Sequence, residues 1–178
     1  RSEPTLRVTL YPGMPKADKL ELITQKAVEL GVTKIVPVLT SRSVSRPDAK
    51  SVSKKQERLQ RIALEAAKQS GRGIHHAGGE HEANRLDRKA GDAVGGKGDH
   101  LLERVFALAR EALGALVSPD EAEVSVFIGP EGGFDAAEVQ LAKQYGATPA
   151  TLGPRILRTE TAPLAALSVL MYITGNMQ

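Results

Sequence analysis

The segment 152–161, LGPRILRTET, carries the residue types best suited to chemistry in this sequence. Arg155, Arg158 and Glu160 stand directly before an apolar run that begins at Pro163 and predicts a buried terminal helix. An ordinary helix start needs only Thr159 or Thr161 as a cap, with Pro163 in the first turn. The charged side chains need further partners, because polar groups close to apolar ones are normally hydrogen-bonded. Those partners are each other, a second subunit or a ligand.

A second candidate is the glycine-rich segment 127–138, FIGPEGGFDAAE. It predicts a strand, a tight turn and a helix start with the capping-box residues Asp135 and Glu138. The glycines allow backbone groups to approach a ligand closely. The pattern is neither GxGxxG nor a phosphate-binding loop, and Glu131 would repel a phosphate, so a neutral or cationic ligand is favoured. A tight turn without any ligand is the alternative.

Two weaker polar groups accompany these segments. TSRSVSR at 40–46 follows a short apolar strand, and EAAKQSGR at 65–72 ends a helix with Gln69 and Arg72. In an open α/β sheet, ligands bind beyond the carboxyl ends of the strands. Either group alone is explained by a solvated surface, but such a sheet edge would gather several of them around one site.

The elements that must position these residues alternate between strands and helices. Strands are predicted at 6–11, 34–39, 124–129 and 150–152, and helices at 18–30, 53–71, 101–117, from 135 and from Pro163. This alternation predicts an α/β fold with a mainly parallel sheet flanked by helices. The polar, glycine-rich stretch 73–100 lacks apolar periodicity and predicts a flexible insert within a single domain spanning 1–178.

Composition limits the classes of protein to which the chain can belong. It has 178 residues, 41% of them hydrophobic and 25% charged, which suits one globular domain. No apolar stretch is long enough for a membrane span, no signal peptide is apparent, and cysteine is absent, so we expect a cytoplasmic protein without membrane contact. All four histidines fall in 73–100, where nothing fixes ligand geometry, so no metal site is predicted.

The net charge of +3 is unevenly distributed along the chain. Residues 1–72 hold 15 Lys and Arg against 7 Asp and Glu, whereas residues 73–178 hold 9 against 14. A basic first half is compatible with a polyanionic partner such as RNA, and equally with a solvated, salt-bridged surface. Aromatic residues make up only 3%, which disfavours recognition by extensive base stacking.

Five ordered motifs together resemble a known family. They are KADKLELITQKAVELGV, TSRSVSR, RIALEAAKQSGR, FIGPEGGF and LGPRILRTETA. In this order they resemble the ribosomal RNA small subunit methyltransferase E family, a member of the SPOUT superfamily. The similarity covers about 5–72 and 118–175. It implies an α/β domain with a C-terminal trefoil knot, which is a rare feature that no periodicity pattern predicts.

The resemblance also implies a cofactor and a reaction. Members of the family use S-adenosyl-L-methionine to methylate N3 of a uridine in small-subunit ribosomal RNA, and they act as homodimers. Transferred by motif, one wall of the cofactor pocket comprises Ile128, Gly129, Pro130, Glu131, Gly132 and Gly133. The other wall comprises Leu152, Gly153, Ile156, Leu157 and Thr159.

Catalytic and RNA-binding roles follow from the chemistry of that reaction. The N3 imide of uracil must lose a proton before it attacks a methyl group, so Glu160 is the candidate base. Arg158 and Arg155 are candidates for stabilising charge on the uracil oxygens. Candidates for holding the RNA are Arg42, Gln69 and Arg72.

Two departures from the family pattern bear on these expectations. No counterpart of the family's N-terminal RNA-binding barrel is present in the sequence, so we expect weaker RNA recognition by this chain alone. The family also has an apolar strand in the region of 73–117, where this sequence has its polar insert. A non-catalytic RNA-binding or ribosome-assembly module is the alternative function. A phosphate-binding α/β enzyme is disfavoured, because the lysine of a phosphate-binding loop is missing.

Overall fold

The computed structural model describes residues 2–44, 46, 49–73 and 105–177. In this part of the chain the strands are Arg7–Pro12 (β1), Lys34–Ile35 (β2), Val105–Ala112 (β3), Glu123–Ile128 (β4) and Thr148–Thr151 (β5). The helices are Lys19–Glu29 (α1), Ala49–Gln69 (α2), Leu113–Leu116 (α3), Ala136–Gln144 (α4) and Ala162–Ile173 (α5). None of these helices is long and apolar enough to cross a membrane.

One five-stranded sheet organises the described residues, in the order β2-β1-β4-β3-β5. Every neighbouring pair is parallel. Strands β1 and β4 pair along their whole length, from Arg7 opposite Glu123 to Pro12 opposite Ile128. The predicted α/β fold with a parallel sheet flanked by helices is confirmed. Because all strands run the same way, the segments that follow β1, β4 and β5 emerge at one carboxyl edge.

The core lies between the sheet and helices α1 and α5. Leu10 of β1, Ile23 of α1 and Leu167 of α5 are fully buried in one continuous apolar cluster. The second long helix, α2, packs against α1 and adds Leu59 and Ala63 to this cluster. Helix α5 therefore has its amino end next to the sheet edge and its body in the core, so its position is fixed by burial of apolar surface.

The edge strand β2 is shorter than its predicted span of 34–39. Regular strand pairing with β1 ends at Ile35, two residues before Pro37. The amides of Val36 and Val38 still donate to the carbonyls of Leu10 and Pro12, at 2.8 and 3.0 Å. A proline within a strand is tolerated at a sheet edge, as found here.

The helix predicted over 101–117 is wrong for the described part of that stretch. Val105–Ala112 forms strand β3 between β4 and β5, and only Leu113–Leu116 is helical. Its Ala, Leu, Glu and Arg residues favour helices intrinsically, but parallel pairing on both sides outweighs that weak local preference. The apolar strand implied by the family resemblance is therefore present. The insert predicted at 73–100 lies, apart from residue 73, outside the described residues, as do the four histidines.

Candidate active site

A cavity of about 660 Å³ opens at the carboxyl edge of the sheet, between the turn after β4 and the loop after β5. Its size is that of a small-molecule site. The two segments singled out in the sequence form opposite walls. The predicted cofactor residues that line it are Ile128, Gly129, Pro130, Glu131, Gly133, Leu152, Gly153, Ile156, Leu157 and Thr159. Arg155 and Arg158 line it as well.

Two glycines leave the backbone bare on the cavity walls. Gly133 has φ +68° and Gly153 has φ +108°, a region that side-chain-bearing residues rarely adopt. A Cβ built on either residue would have no heavy atom within 4 Å. Both walls therefore offer backbone groups beside open space, which is the arrangement needed to hold a ligand through main-chain contacts.

Thr159 joins the two walls directly. Its side chain is buried, and its hydroxyl donates to the carbonyl of Gly129 at 2.8 Å. The expectation that Thr159 or Thr161 caps α5 is wrong. Thr161 occupies the cap position with helical backbone angles and no side-chain hydrogen bond. Pro163 lies in the first turn of α5, as predicted. The threonine hydroxyl thus serves the contact between the walls, and the helix start relies on backbone hydrogen bonds.

A cluster of three charged side chains lies at the rim of this cavity. The ammonium of Lys19 is 3.0 Å from Glu131 Oε1 and 3.2 Å from Glu160 Oε2. Glu131 Oε1 also accepts a hydrogen bond from the Lys16 backbone at 3.2 Å. Lys19 and Glu131 line the cavity, whereas Glu160 does not and lies behind Lys19. One cation therefore connects a residue of the cavity wall to the predicted base.

The electrostatics of this cluster keep all three groups charged. The carboxyl pKa of Glu160 is lowered, first by a hydrogen bond from its own backbone N–H, which outweighs burial, and then by Lys19 and Arg158. Burial raises the pKa of Glu131, but backbone N–H donors and Lys19 more than offset it, so the net shift is downward. The pKa of Lys19 is raised by the neighbouring carboxylates, first by Glu131, to which its ammonium donates a hydrogen bond, and then by Glu160. Opposite charges at these distances favour the ionised forms.

Glu160 Oε2 is buried and has no hydrogen-bond partner of suitable geometry among the described residues. Its contact with Lys19 at 3.2 Å is therefore an ion pair with poor hydrogen-bond alignment. A lone pair of this oxygen remains available, which an acceptor for a proton requires.

The loop 40–46 packs beside the glycine-rich turn. Arg42 donates to the carbonyl of Gly132 at 3.0 Å, and the backbone N–H of Ser41 donates to Glu138 at 2.7 Å. Gly132 does not line the cavity, since a Cβ built on it would lie 3.0 Å from Arg42 Cβ. The structure thus departs from the prediction that Gly132 belongs to the cofactor wall. The predicted capping box of Asp135 and Glu138 is confirmed at the start of α4.

Arg72 and Gln69 are not brought to the cavity. The Arg72 guanidinium donates to the carbonyls of Val28 and Val32, at 3.0 and 2.8 Å, and to Glu3 at 2.8 Å. These contacts lie at the amino edge of the sheet, where the chain enters β1 and β2, and Gln69 ends α2 at the same side. Arg72 is buried by this network. The structure gives it a structural role in place of the predicted RNA contact.

Lys19 was missed by the sequence analysis although a signal was present. It is the first residue of α1, where the helix dipole disfavours a cation. A lysine at such a position indicates acidic partners nearby. Identifying Glu131 and Glu160 as those partners required the fold, because the three residues come from distant segments of the chain.

Proteins of a known family are similar to this chain in sequence and in fold. A sequence profile for the RNA methyltransferase domain matches residues 1–171. The ribosomal RNA small subunit methyltransferase E of Bacillus subtilis is 40% identical over 177 residues, covering 95% of this chain and 67% of that protein. The Synechocystis protein of the same name is 36% identical, covering 94% of this chain and 54% of that protein. The chain thus spans between half and about two thirds of the length of these relatives.

Solved structures give the same result. The ribosomal RNA small subunit methyltransferase E of Neisseria gonorrhoeae, bound to S-adenosylmethionine, superposes with a TM-score of 0.75 at 32% identity, covering 96% of this chain and 67% of that one. A Legionella pneumophila structure described as a methyltransferase with bound S-adenosylmethionine gives 0.79 at 32% identity, with the same coverage. Profile, identity and superposition agree, and the chain belongs to the ribosomal RNA small subunit methyltransferase E family of RNA methyltransferases.

Proposed function

We propose that this chain is the catalytic domain of an enzyme that methylates N3 of a uridine in small-subunit ribosomal RNA, with S-adenosyl-L-methionine as donor. The observation that carries the proposal is the cavity whose two walls meet through Thr159 and Gly129. Relatives of the same family have been solved with S-adenosylmethionine bound. We infer that the reaction takes place in the cytoplasm, with ribosomal RNA as the substrate and without a metal.

The cavity residues fit this cofactor in type. The bare backbone at Gly133 and Gly153 suits recognition of an adenine edge through main-chain groups, and the apolar side chains of Ile128, Leu152 and Leu157 suit its faces. Bound S-adenosylmethionine supplies an electrophilic methyl group carried on a sulfonium. The net negative charge of the Lys19, Glu131 and Glu160 cluster is compatible with a cationic ligand.

We assign the acid–base chemistry to the loop after β5. Glu160, whose carboxylate lies at the cavity rim beside Lys19, takes the N3 proton, and Arg158 and Arg155 stabilise negative charge on the uracil oxygens from the cavity wall. Arg42, exposed beside the glycine-rich turn, contacts the RNA. Alignment of the nucleophile with the methyl group is the main task left to the protein.

We extend the proposal to a C-terminal trefoil knot and a homodimer. The loop 152–161 leaves the edge strand β5 and returns to Gly129 beyond β4, which supports a threaded path.

Helix α5 is apolar around its circumference, and Tyr172 on its outer face is exposed, which supports a subunit contact there. Sedimentation equilibrium would measure the oligomeric state, and a monomer at micromolar concentration would contradict the dimer.

Substituting Thr159 by valine tests the link between the cavity walls. Valine keeps the shape but leaves the Gly129 carbonyl without its donor, so S-adenosylmethionine should bind about tenfold more weakly, as measured by calorimetry. Thr159→Ser retains the hydroxyl and should bind within about threefold of wild type. Equal affinities for the valine variant and wild type would show that the link does not contribute to the site.

The function as a whole is tested by mapping the product. Ribosomal RNA lacking the modification is incubated with the chain, or with the full-length protein containing it, and S-adenosylmethionine, and the nucleotide is located by mass spectrometry. A new N3-methyluridine in small-subunit RNA is the expected result. Cofactor binding without methyl transfer, or no binding at millimolar cofactor, would favour the non-catalytic RNA-binding module.

A further inference from the structure

Lys19 occupies an electrostatically unfavourable place on its own helix. It is the first residue of α1, and Asp18 at the cap position makes no side-chain hydrogen bond to the helix. The partial positive charge of a helix amino end opposes a cation there, by an amount that falls off within one turn. Acidic partners from elsewhere in the fold offset this cost, and these partners are Glu131 and Glu160.

The two partners belong to opposite sides of the cavity. Glu131 lies in the turn after β4, and Glu160 lies in the loop that leads from β5 into α5. Each carboxylate has an oxygen within 3.2 Å of the same nitrogen. Without that nitrogen, two like charges would face each other across partly buried space, where repulsion is stronger than in water. A single ammonium thus balances two carboxylates whose repulsion would otherwise act against the Thr159 contact between the walls.

We propose that Lys19 is a positioning residue of the methyl-transfer site, which holds the Glu131 turn and the Glu160 loop at the separation that the cofactor requires. The inference depends on the proposed function for the identity of the ligand. The role of Lys19 in holding the two walls does not depend on it. Thr159 and Lys19 then connect the same two walls at two points, one through a neutral hydrogen bond and one through charge. Lys19 sets the geometry, and Glu160 remains the residue that takes the proton.

Lys19→Met is the primary test, because methionine retains the length and loses the charge. S-adenosylmethionine should bind about tenfold more weakly by calorimetry, and KM for the cofactor should rise by a similar factor. The value of kcat at saturating cofactor should fall by less than about threefold, since bound ligand restores the wall separation. Lys19→Arg, which keeps the charge, should recover most of the affinity. Lys26→Met is the matched control, since Lys26 pairs with Glu29 at the other end of α1.

A double substitution separates positioning from direct contact with the ligand. If Lys19 acts by balancing the carboxylates, adding Glu131→Gln to Lys19→Met should recover part of the lost affinity, compared with Glu131→Gln alone. Recovery supports the proposal. A loss that is simply additive, without rescue by Lys19→Arg, would mean that Lys19 contacts the ligand itself and would overturn the positioning role. Unchanged affinity in Lys19→Met would also overturn it.

Hydrogen exchange of the ligand-free protein tests whether Lys19 holds the two walls, independently of methylation. Amides in 158–161 and 131–133 should exchange at least about threefold faster in Lys19→Met than in the Lys26→Met control, because the walls open more often. Equal rates would refute the wall-holding role even if methylation were affected. If the wild-type chain bound no S-adenosylmethionine, the proposed function would fail, while the exchange rates would still decide the role of Lys19.

Discussion

Glu160→Gln is expected to lower the single-turnover rate of uridine methylation by about 100-fold or more, while affinity for S-adenosylmethionine stays within about threefold of wild type. Glutamine fills the same volume, the Thr159–Gly129 hydrogen bond remains, and the loss of one carboxylate also removes the repulsion that Lys19 balances, so the cavity walls stay together. It cannot accept the N3 proton, because an amide oxygen is a far weaker base than a carboxylate. The rate of the chemical step should therefore fall while the affinity for S-adenosylmethionine is retained.

The pH dependence of the wild-type rate follows from the direction of the pKa shift. A base works when it is deprotonated, and the pKa of Glu160 lies below its ordinary value because of its backbone N–H donor, Lys19 and Arg158. The active carboxylate is therefore lost only when the pH falls below the usual carboxyl range. From about pH 5.5 to 8 the rate should show no acid limb from Glu160. A limb in that range that disappears in Glu160→Gln would contradict the assignment.

The control for this substitution is Glu123→Gln. Glu123 forms an exposed pair with Arg7 at the amino edge of the sheet, so its neutralisation should leave rate and affinity unchanged. A methylation rate in Glu160→Gln equal to that of this control would remove Glu160 from the mechanism. The base would then have to come from the RNA or from solvent.

Arg72→Met is expected to lower the free energy of unfolding by about 3 kcal/mol, since two buried carbonyls lose charged hydrogen bonds. The carbonyls of Val28 and Val32 have the Arg72 guanidinium as a donor at 3.0 and 2.8 Å. Methionine fills the space but donates nothing. The pair with Glu3 contributes little to this figure, because the Glu3 side chain is 43% exposed. Urea denaturation monitored by circular dichroism measures the change.

Arg58→Met provides the comparison for Arg72. Arg58 pairs with Glu21 on the surface, so its loss should cost about 0–1 kcal/mol. Similar midpoints for the two variants would show that the buried network adds nothing beyond a surface pair. Because Arg72 is at the amino edge, folded Arg72→Met should bind S-adenosylmethionine with wild-type affinity, which separates its structural role from a contribution to the cofactor site.

The sequence predicted an element correctly where the local residue pattern alone determines whether that segment is a strand or a helix. The apolar run of β4, the capping residues Asp135 and Glu138 and the apolar α5 each predicted what is observed, because their neighbours are consistent with their local preference. Strand β3 was missed for the opposite reason. Its helix-favouring residues are held extended by β4 and β5, and no local pattern records that pairing.

The residues of the site also differ in how far the sequence predicted them. The two segments that line the cavity were singled out by their glycines and crowded charges, whereas their assignment as two walls of one pocket came from the family resemblance. Arg72 was assigned to RNA because a basic helix end is usually exposed, whereas here the chain folds back over it through Glu3 and Ser2. Lys19 was overlooked because its importance depends on two residues more than a hundred positions away.

The hydrogen bond from Thr159 to Gly129 also constrains movement. The loop 152–161 continues directly into α5, whose buried face includes Leu167 and Leu170 at the centre of the core. This wall therefore cannot swing outward like a hinged flap, because its far end is anchored in tightly packed side chains. A larger outward displacement of this wall would break the threonine bond. One side of the binding site is thus continuous with the packed core.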